Sequence, residues 1–243
     1  MLLNIVYEDD MLLVVDKSPG LAVSREGIGT REQETIADLL LGQYPELEQL
    51  GEQMRFGIIH RLDKDTSGLL LVAKTKEAFA FFQQQFRERK VRKQYLCLVH
   101  GKVLEGDGVI DAKLTRSPND RRKQKAFSPG TAGEDAAREA RLDSARQART
   151  KYRVVERFPA YTLLEMTPET GRKHQIRAHL AFIHHPIAGD KLYGFKGQTA
   201  PVGLNRQFLH ASQINLPMPN GSTKEFRSLL PKDLQNVLDN LRT

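Results

Sequence analysis

The segment from Gly57 to Lys74 contains the residue types that acid–base or nucleophilic chemistry needs. Its sequence is GIIHRLDKDTSGLLLVAK, in which apolar runs flank a dense polar group: His60, Arg61, Asp63, Lys64, Asp65, Thr66 and Ser67. A carboxylate held among fixed cations and hydroxyls can be kept ionised and aimed at a substrate. The same composition is also typical of a polar connection whose Asp and Ser side chains satisfy backbone groups. On these residues alone, both interpretations stay open.

Four blocks of the chain resemble one known family. HRLDKDTSGLLL, which starts at His60, is similar to the active-site motif HRLDxxTSGLLL of the RluA family of RNA pseudouridine synthases. The other blocks follow in family order: YEDDMLLVVDKSPGLAVS at 7–24, RKQYLCLVHG at 92–101 and TGRKHQIRAHL at 170–180. In the opening block, DKSP at 16–19 stands where the family commonly has Asn-Lys-Pro. By this resemblance the chain is identified as a member of the family.

The resemblance implies a site that isomerises uridine to pseudouridine in RNA. Asp63 would be the essential carboxylate, acting on the ribose or the base by covalent addition or by proton removal. Tyr95 would stack on the uracil, and Arg177 would form an ion pair with Asp63 that keeps the carboxylate charged and oriented. Arg61 would help to fill the gap left by the flipped nucleotide. Further RNA contacts are expected at His60, Thr66, Lys93, Arg172 and His174.

Two charged residues beside these blocks are given minor roles. Asp65 occupies a variable position of the motif, and we assign it no catalytic role. Lys17 lies near the turn Ser18-Pro19-Gly20 and is expected to be a plain surface lysine, with contact to phosphate as the alternative.

The charge distribution favours a polyanionic partner. The formal net charge is +7, and residues 113–153 contain 12 Lys or Arg against five Asp or Glu, which equals the whole excess. Such a segment can neutralise phosphates and position an RNA without reading its sequence, or it can be a solvated loop with no specific role. We expect the partner to be RNA, either ribosomal or transfer RNA.

Cofactors and metals are not expected. Cys97 is the only cysteine and lies in the apolar run YLCLV, so neither an internal disulfide nor a thiolate cluster is possible. His174 and His179 are five residues apart, about 140° around a helix, so they do not share a face. No apolar run approaches the roughly 20 residues that cross a bilayer. The chain is therefore expected to be cytoplasmic, with no membrane partner.

The expected fold is α+β. The resemblance implies a pseudouridine synthase core, with a bent, mixed, mainly antiparallel sheet, flanking helices and a central cleft. We predict one catalytic domain over 1–243, acting as a monomer, with a basic insertion at about 113–150 and without the extra N-terminal RNA-binding domain of some members. Strands are expected at 5–7, 12–16, 58–59, 69–73, 94–99, 152–155, 161–166 and 208–214. Helices are expected at 35–44, 76–89, 173–184 and from 231, and the segment 134–149 could form another.

Two other functions fit parts of the pattern. A non-catalytic RNA-binding protein of the same fold would show the same charge distribution but would have no reason to keep Asp63, Tyr95 and Arg177 together. A carboxylate glycosidase would need a second catalytic acid at a defined separation and would gain nothing from the basic segment.

Overall fold

The computed structural model describes residues 2–25, 33–51, 55–128, 130 and 143–243. The strands are β1 (Ile5–Glu8), β2 (Leu12–Lys17), β3 (Ser67–Ala73), β4 (Arg92–His100), β5 (Asp107–Arg116), β6 (Gln124–Phe127), β7 (Arg146–Arg157), β8 (Tyr161–Pro168), β9 (Leu209–Pro217) and β10 (Thr223–Arg227). The helices are α1 (Ile36–Gln43), α2 (Lys76–Arg87), α3 (Gln175–Phe182) and α4 (Lys232–Arg242), with a short 3₁₀-helix at Pro45–Gln49.

The chain forms two compact units. Unit 1 consists of Met1–Lys93 and His210–Leu230, and unit 2 consists of Gln94–Leu209 and Pro231–Thr243. The single catalytic domain stays a prediction.

Unit 1 is built on strands with a buried centre. β1 pairs with β2, β2 with β3, and β9 with β10, all antiparallel, while β3 meets β9 in parallel over two residue pairs. Every residue of β3 is buried, as its continuous apolar run indicates. The helix α2 begins where predicted because Thr75 Oγ1 accepts a hydrogen bond from the N–H of Ala78 at 3.1 Å.

Unit 2 contains five antiparallel strands in the order β4, β8, β7, β5, β6. Helix α3 packs against β5, β6, β7 and β8. Helix α4 buries Leu234, Val237 and Leu238 on one face, as its spacing predicts. The α+β class with mainly antiparallel pairing is therefore confirmed.

The basic segment differs from its prediction. Residues 107–116, 124–127 and 146–157 form β5, β6 and β7. Both ends of the expected insertion therefore belong to the sheet of unit 2. A helix over 134–149 is wrong for 146–149, which lie in β7, and residues 131–142 lie outside the described residues. Side-chain alternation explains the outcome, because Ala148 and Thr150 are buried while Arg149 and Lys151, the alternate residues, are exposed.

Among the described residues, none of the helices has the length and hydropathy that crossing a bilayer requires. The cytoplasmic location and the monomeric state stay predictions.

Candidate active site

Residues 60–66 of the motif form a loop that we call the Asp63 loop, and Ser67 begins β3. The chain enters it as an irregular segment beside β3. The N–H of Ile59 donates to the carbonyl of Leu71 at 3.0 Å, and Ile58 forms an isolated bridge with Val72. The predicted strand at 58–59 is therefore a hydrogen-bonded edge and not a regular strand.

His60 and Lys93 pack around one aromatic ring. His60 stacks on Phe86 at 5.2 Å between ring centroids, and the Nζ of Lys93 lies 5.4 Å from the same ring centroid. His60 Nε2 accepts a hydrogen bond from the N–H of Leu71 at 3.1 Å. Burial lowers the pKa of His60 to about 3, helped by the charge of Lys93, and burial lowers the pKa of Lys93 to about 8. Both residues have packing roles here, and their RNA contacts stay predictions.

Lys17 is not a surface lysine, so that expectation is wrong. Its side chain is 0% exposed, and Nζ donates to the carbonyls of Ser18, Leu21 and Lys64 at 2.9, 2.8 and 2.9 Å. The N–H of Gly20 donates to the same Lys64 carbonyl at 3.0 Å. A buried ammonium is tolerated only when such acceptors surround it. Lys17 thereby anchors the middle of the Asp63 loop through its backbone.

The C-terminal end of the Asp63 loop is fixed by a turn and by a buried hydrogen bond. The N–H of Thr66 donates to the carbonyl of Asp63 at 3.1 Å, and Ser67 Oγ lies 3.0 Å from His210 Nδ1. His210 Nε2 lies 3.2 Å from the carbonyl of Ser228, which can only accept. Nε2 of His210 therefore carries a proton, and in the neutral ring the Ser67 hydroxyl donates to Nδ1.

Gly68 follows because no other residue fits there. It pairs with Lys17 of β2 on one side and with Ala211 of β9 on the other. Its φ is +110°, and a Cβ would lie 2.3 Å from the carbonyl oxygen of Ala211. Glycine permits both the backbone angle and the close approach.

The loop side chains differ in exposure. Leu62 and Thr66 are buried, Asp63 is half-buried, and Arg61 and Asp65 are exposed. The two aspartates therefore differ in exposure, and the catalytic role of Asp63 stays a prediction. Burial of Thr66 favours an anchoring role, while its RNA contact, like that of Arg61, stays a prediction.

In unit 2, Gln175 organises the turn that precedes α3. Its Oε1 accepts from Thr170 Oγ1 at 2.7 Å and from the N–H of Arg172 at 3.0 Å. Its Nε2 donates to the carbonyl of Arg149 at 3.1 Å and to Thr150 Oγ1 at 2.9 Å. The sequence pattern gives no sign of this role, because two of the partners lie on β7 and such contacts leave no periodicity.

Arg177 is buried on α3 and has a partner that the sequence analysis did not find. Its Nε donates to Asp190 Oδ2 at 2.7 Å, and its Nη2 donates to Asp190 Oδ1 at 2.9 Å. The guanidinium carbon lies 5.0 Å from the ring centroid of Tyr193. Burial by itself would raise the pKa of Asp190, but the hydrogen bonds and charge of Arg177 hold that pKa below its ordinary value.

Arg172 and His174 flank this pair. Arg172 is exposed, and its Nε donates to the carbonyl of Gln147 at 3.3 Å. His174 has a φ of +53°, and its Nδ1 lies 3.1 Å from the hydroxyl of Tyr193. His174 is thus tied to the same support as Arg177, and the RNA contacts of both flanking residues stay predictions.

Tyr95 lies near the start of β4, where it pairs with Met166 of β8, and it is buried. Tyr95 and Arg177 belong to unit 2 and Asp63 to unit 1, so their meeting at one site stays a prediction.

In the part of the chain that the structure describes, no three His, Cys, Asp or Glu side chains converge in a way that could hold a metal ion.

Comparison with protein families identifies the class. A family model described as RNA pseudouridylate synthase matches residues 11–182, a span that includes the Asp63 loop, Tyr95 and Arg177. The chain belongs to this family, and the resemblance of its motifs to RluA-type enzymes is confirmed.

Individual relatives agree with this assignment. The ribosomal large subunit pseudouridine synthase D of Nitrosomonas europaea is 43% identical, over 99% of this chain and 65% of the relative, so the chain spans just under two thirds of that protein. The ribosomal large subunit pseudouridine synthase C of Vibrio vulnificus is 37% identical, over 98% and 69%. A solved human structure, RNA pseudouridylate synthase domain containing 4, is similar with a TM-score of 0.76 and 27% identity, over 98% of this chain and 93% of that one. The pseudouridine synthase fold is thereby confirmed.

Proposed function

We propose that this protein is an RNA pseudouridine synthase that isomerises uridine in ribosomal RNA, with Asp63 as the catalytic carboxylate. The observation that carries the proposal is the family match over 11–182, which contains all three predicted catalytic residues. The names of the bacterial relatives support large-subunit ribosomal RNA as the substrate. Transfer RNA is the alternative.

The reaction rearranges one nucleotide without changing its composition. The bond from ribose C1′ to N1 of uracil breaks, the base turns, and a bond from C1′ to C5 forms, while C5 loses a proton and N1 gains one. Asp63 starts this reaction from a loop whose backbone is anchored by hydrogen bonds. The half-buried carboxylate is thereby held in place without being enclosed. Such preorganisation lowers the cost of reaching the reactive geometry.

Arg177 keeps Asp63 ionised and oriented. A guanidinium has two edges that can each donate a pair of hydrogen bonds to a carboxylate. Asp190 accepts the pair from the edge formed by Nε and Nη2. The other edge, formed by Nη1 and Nη2, is the one that suits a second carboxylate. This arrangement supports a role in which Arg177 is held by one aspartate while it pairs with another.

The remaining residues act on the RNA. Tyr95 stacks on the uracil, and Arg61, exposed on the loop, helps to replace the flipped nucleotide. His60, Thr66, Lys93, Arg172 and His174 line or support the RNA path.

The test is pseudouridine mapping in total RNA from cells with and without the gene, rescued by wild type, Asp63→Asn or Asp65→Asn. We expect one or more ribosomal sites to disappear on deletion and to return with wild type and Asp65→Asn but not with Asp63→Asn. Asp65 is the matched control because it is an aspartate two residues away on the same loop and exposed. Restoration by Asp63→Asn would remove Asp63 from the mechanism.

If no site changes on deletion, the non-catalytic RNA-binding function gains support. Binding of transcribed ribosomal RNA should then still weaken steeply as salt rises, because phosphate contacts release counterions.

A further inference from the structure

We propose that Asp190 is a positioning residue that sets the plane and the presented edge of the Arg177 guanidinium. The inference rests on the proposed function, because it takes Arg177 to be the partner of the catalytic carboxylate. Asp190 itself touches no reacting atom in this scheme.

The first observation is the geometry of the pair. Two parallel hydrogen bonds of 2.7 and 2.9 Å join the Arg177 fork to the Asp190 carboxylate. The side chains are 9% and 0% exposed, so water offers little competition for these bonds. A bidentate pair fixes the rotation of the guanidinium in its own plane, which a single contact would leave free.

The second observation is that the guanidinium face is also fixed. The ring of Tyr193 lies at 5.0 Å from the Arg177 guanidinium carbon, and its hydroxyl accepts a hydrogen bond from the N–H of Gln124 at 2.6 Å. Asp190 therefore sets the edge of the guanidinium while Tyr193 sets its face. Together they leave the Nη1 and Nη2 edge in one orientation.

The third observation is that Asp190 is itself immobilised. Its Oδ1 accepts from the N–H groups of Leu192 and Tyr193 at 2.9 and 3.0 Å. The preceding Gly189 has a φ of +74°, and a Cβ there would lie 2.2 Å from the carbonyl oxygen of Arg206. The Asp190 carboxylate is thus held by backbone groups of its own loop, independently of its hydrogen bonds with Arg177.

The two carboxylate oxygens have different tasks, which gives a selective variant. Oδ1 receives Arg177 Nη2 and both loop N–H groups, whereas Oδ2 receives Arg177 Nε. In Asp190→Asn the amide oxygen can take the place of Oδ1 and keep the loop closed. The amide nitrogen then faces the Nε–H as a second donor. The hydrogen bond from Arg177 Nε is therefore lost, while the loop contacts remain.

The chain offers a matched control. Arg206 and Asp233 form the same fork on the surface of unit 2, with Nε to Oδ2 at 2.7 Å and Nη2 to Oδ1 at 3.2 Å, and the Asp233 side chain is 45% exposed. Asp233→Asn therefore makes the same chemical change in a more exposed Arg–Asp fork that does not include Arg177.

The experiment measures kcat and KM on a ribosomal RNA transcript that contains the mapped uridine. We expect Asp190→Asn to lower kcat about 100-fold with KM changed less than threefold, and Asp233→Asn to leave both unchanged. Arg177→Lys should lose as much, and the double variant of Asp190→Asn with Arg177→Lys should lose no more than Arg177→Lys alone. In ¹⁵N NMR spectra, the slowly exchanging Arg177 Nε–H signal of wild type should be absent in Asp190→Asn.

A wild-type kcat in Asp190→Asn, with Asp63→Asn and Arg177→Lys both inactive, would overturn this inference and leave the proposed function standing. If Asp190→Asn does not fold, Tyr193→Leu and Tyr193→Phe decide. A much larger loss of kcat in Tyr193→Leu than in Tyr193→Phe, at unchanged KM in both, supports orientation of Arg177 by its surroundings, because the ring faces the guanidinium. Equal activity of the two variants contradicts it.

Discussion

The Asp63 loop and the segment around Arg177 are fixed in opposite ways. In unit 1, neighbouring groups bind the backbone of the loop, such as the Lys64 carbonyl held by Lys17, and the Asp63 side chain remains half-buried. In unit 2, the Arg177 side chain itself is held by Asp190. Anchoring of the loop backbone fixes the position from which the Asp63 carboxylate would reach a substrate. A buried cation needs a direct partner, because an unpaired one is too costly.

The largest expected effect comes from the anchor of unit 1. Lys17→Met keeps the approximate volume of the side chain but removes the buried donor that three backbone carbonyls share. We expect the free energy of unfolding to fall by about 3 to 5 kcal/mol. Urea denaturation at pH 7 measures it. Lys64→Met, at an exposed lysine of the same loop, should change stability by less than about 0.5 kcal/mol. Equal stabilities of the two variants would show that the ammonium anchors nothing.

Gln175, the neutral residue that holds the turn before α3, should contribute less to stability than Lys17 does. Gln175→Met removes four hydrogen bonds around the turn before α3. We expect a loss of about 2 to 3 kcal/mol, since the freed partners are backbone groups and hydroxyls and not charges. The same denaturation experiment ranks the two anchors. A Gln175→Met variant less stable than Lys17→Met would reverse the comparison.

The contribution of His60 to the free energy of unfolding should depend on pH. Its pKa of about 3 in the folded protein lies below the value of about 6.5 in the unfolded chain, so the folded state binds fewer protons between these values. The stability that neutral His60 confers is present above pH 6.5 and falls as the pH drops toward 3, by at most about 2 kcal/mol at pH 5.

The measurement compares wild type with His60→Gln, whose amide oxygen can accept the Leu71 N–H. The stability difference between the two proteins should shift by about 2 kcal/mol in favour of the variant between pH 7.5 and pH 5. His179, which is fully buried and whose pKa burial lowers to about 4, titrates in both proteins and cancels. A difference that is constant with pH would mean that His60 binds its proton as readily in the folded protein as in the unfolded chain.

The smallest effect on stability is expected on the exposed face of β7. Glu169 pairs with Arg149 at 3.6 Å and with Lys151 at 2.8 Å, so part of the basic segment is neutralised. Glu169→Gln should change stability by less than about 0.5 kcal/mol. If this face contacts RNA, affinity should rise and its salt dependence should steepen, as filter binding at several salt concentrations can show. Unchanged affinity would place the RNA elsewhere.

The features that the sequence predicted well have local causes. The strand β3 follows from the apolar run Leu69 to Ala73, and α2 follows from the Thr75 cap and its apolar spacing. The motif also located Asp63 on a polar loop between buried segments. These signals depend on neighbours a few positions away, so the sequence carries them directly.

The missed features depend on distant backbone. Nothing in the pattern around Lys17 shows that carbonyls at 18, 21 and 64 converge on its Nζ. The partnership of Arg177 with Asp190 crosses the end of α3 and a loop, and Gln175 reaches across to β7. Contacts between a side chain and a remote backbone group leave no periodicity, so they appear only in the folded protein.

The hydrogen bond between Ser67 and His210 joins residues 143 positions apart. A ribosome adds about 5 to 20 residues per second, so His210 is made at least several seconds after Ser67. During that interval β3 lacks β9, and the Asp63 loop lacks its exit anchor. The loop can therefore reach its final form only after His210 has been made, whereas β4 to β8, contiguous in the chain, can pair earlier.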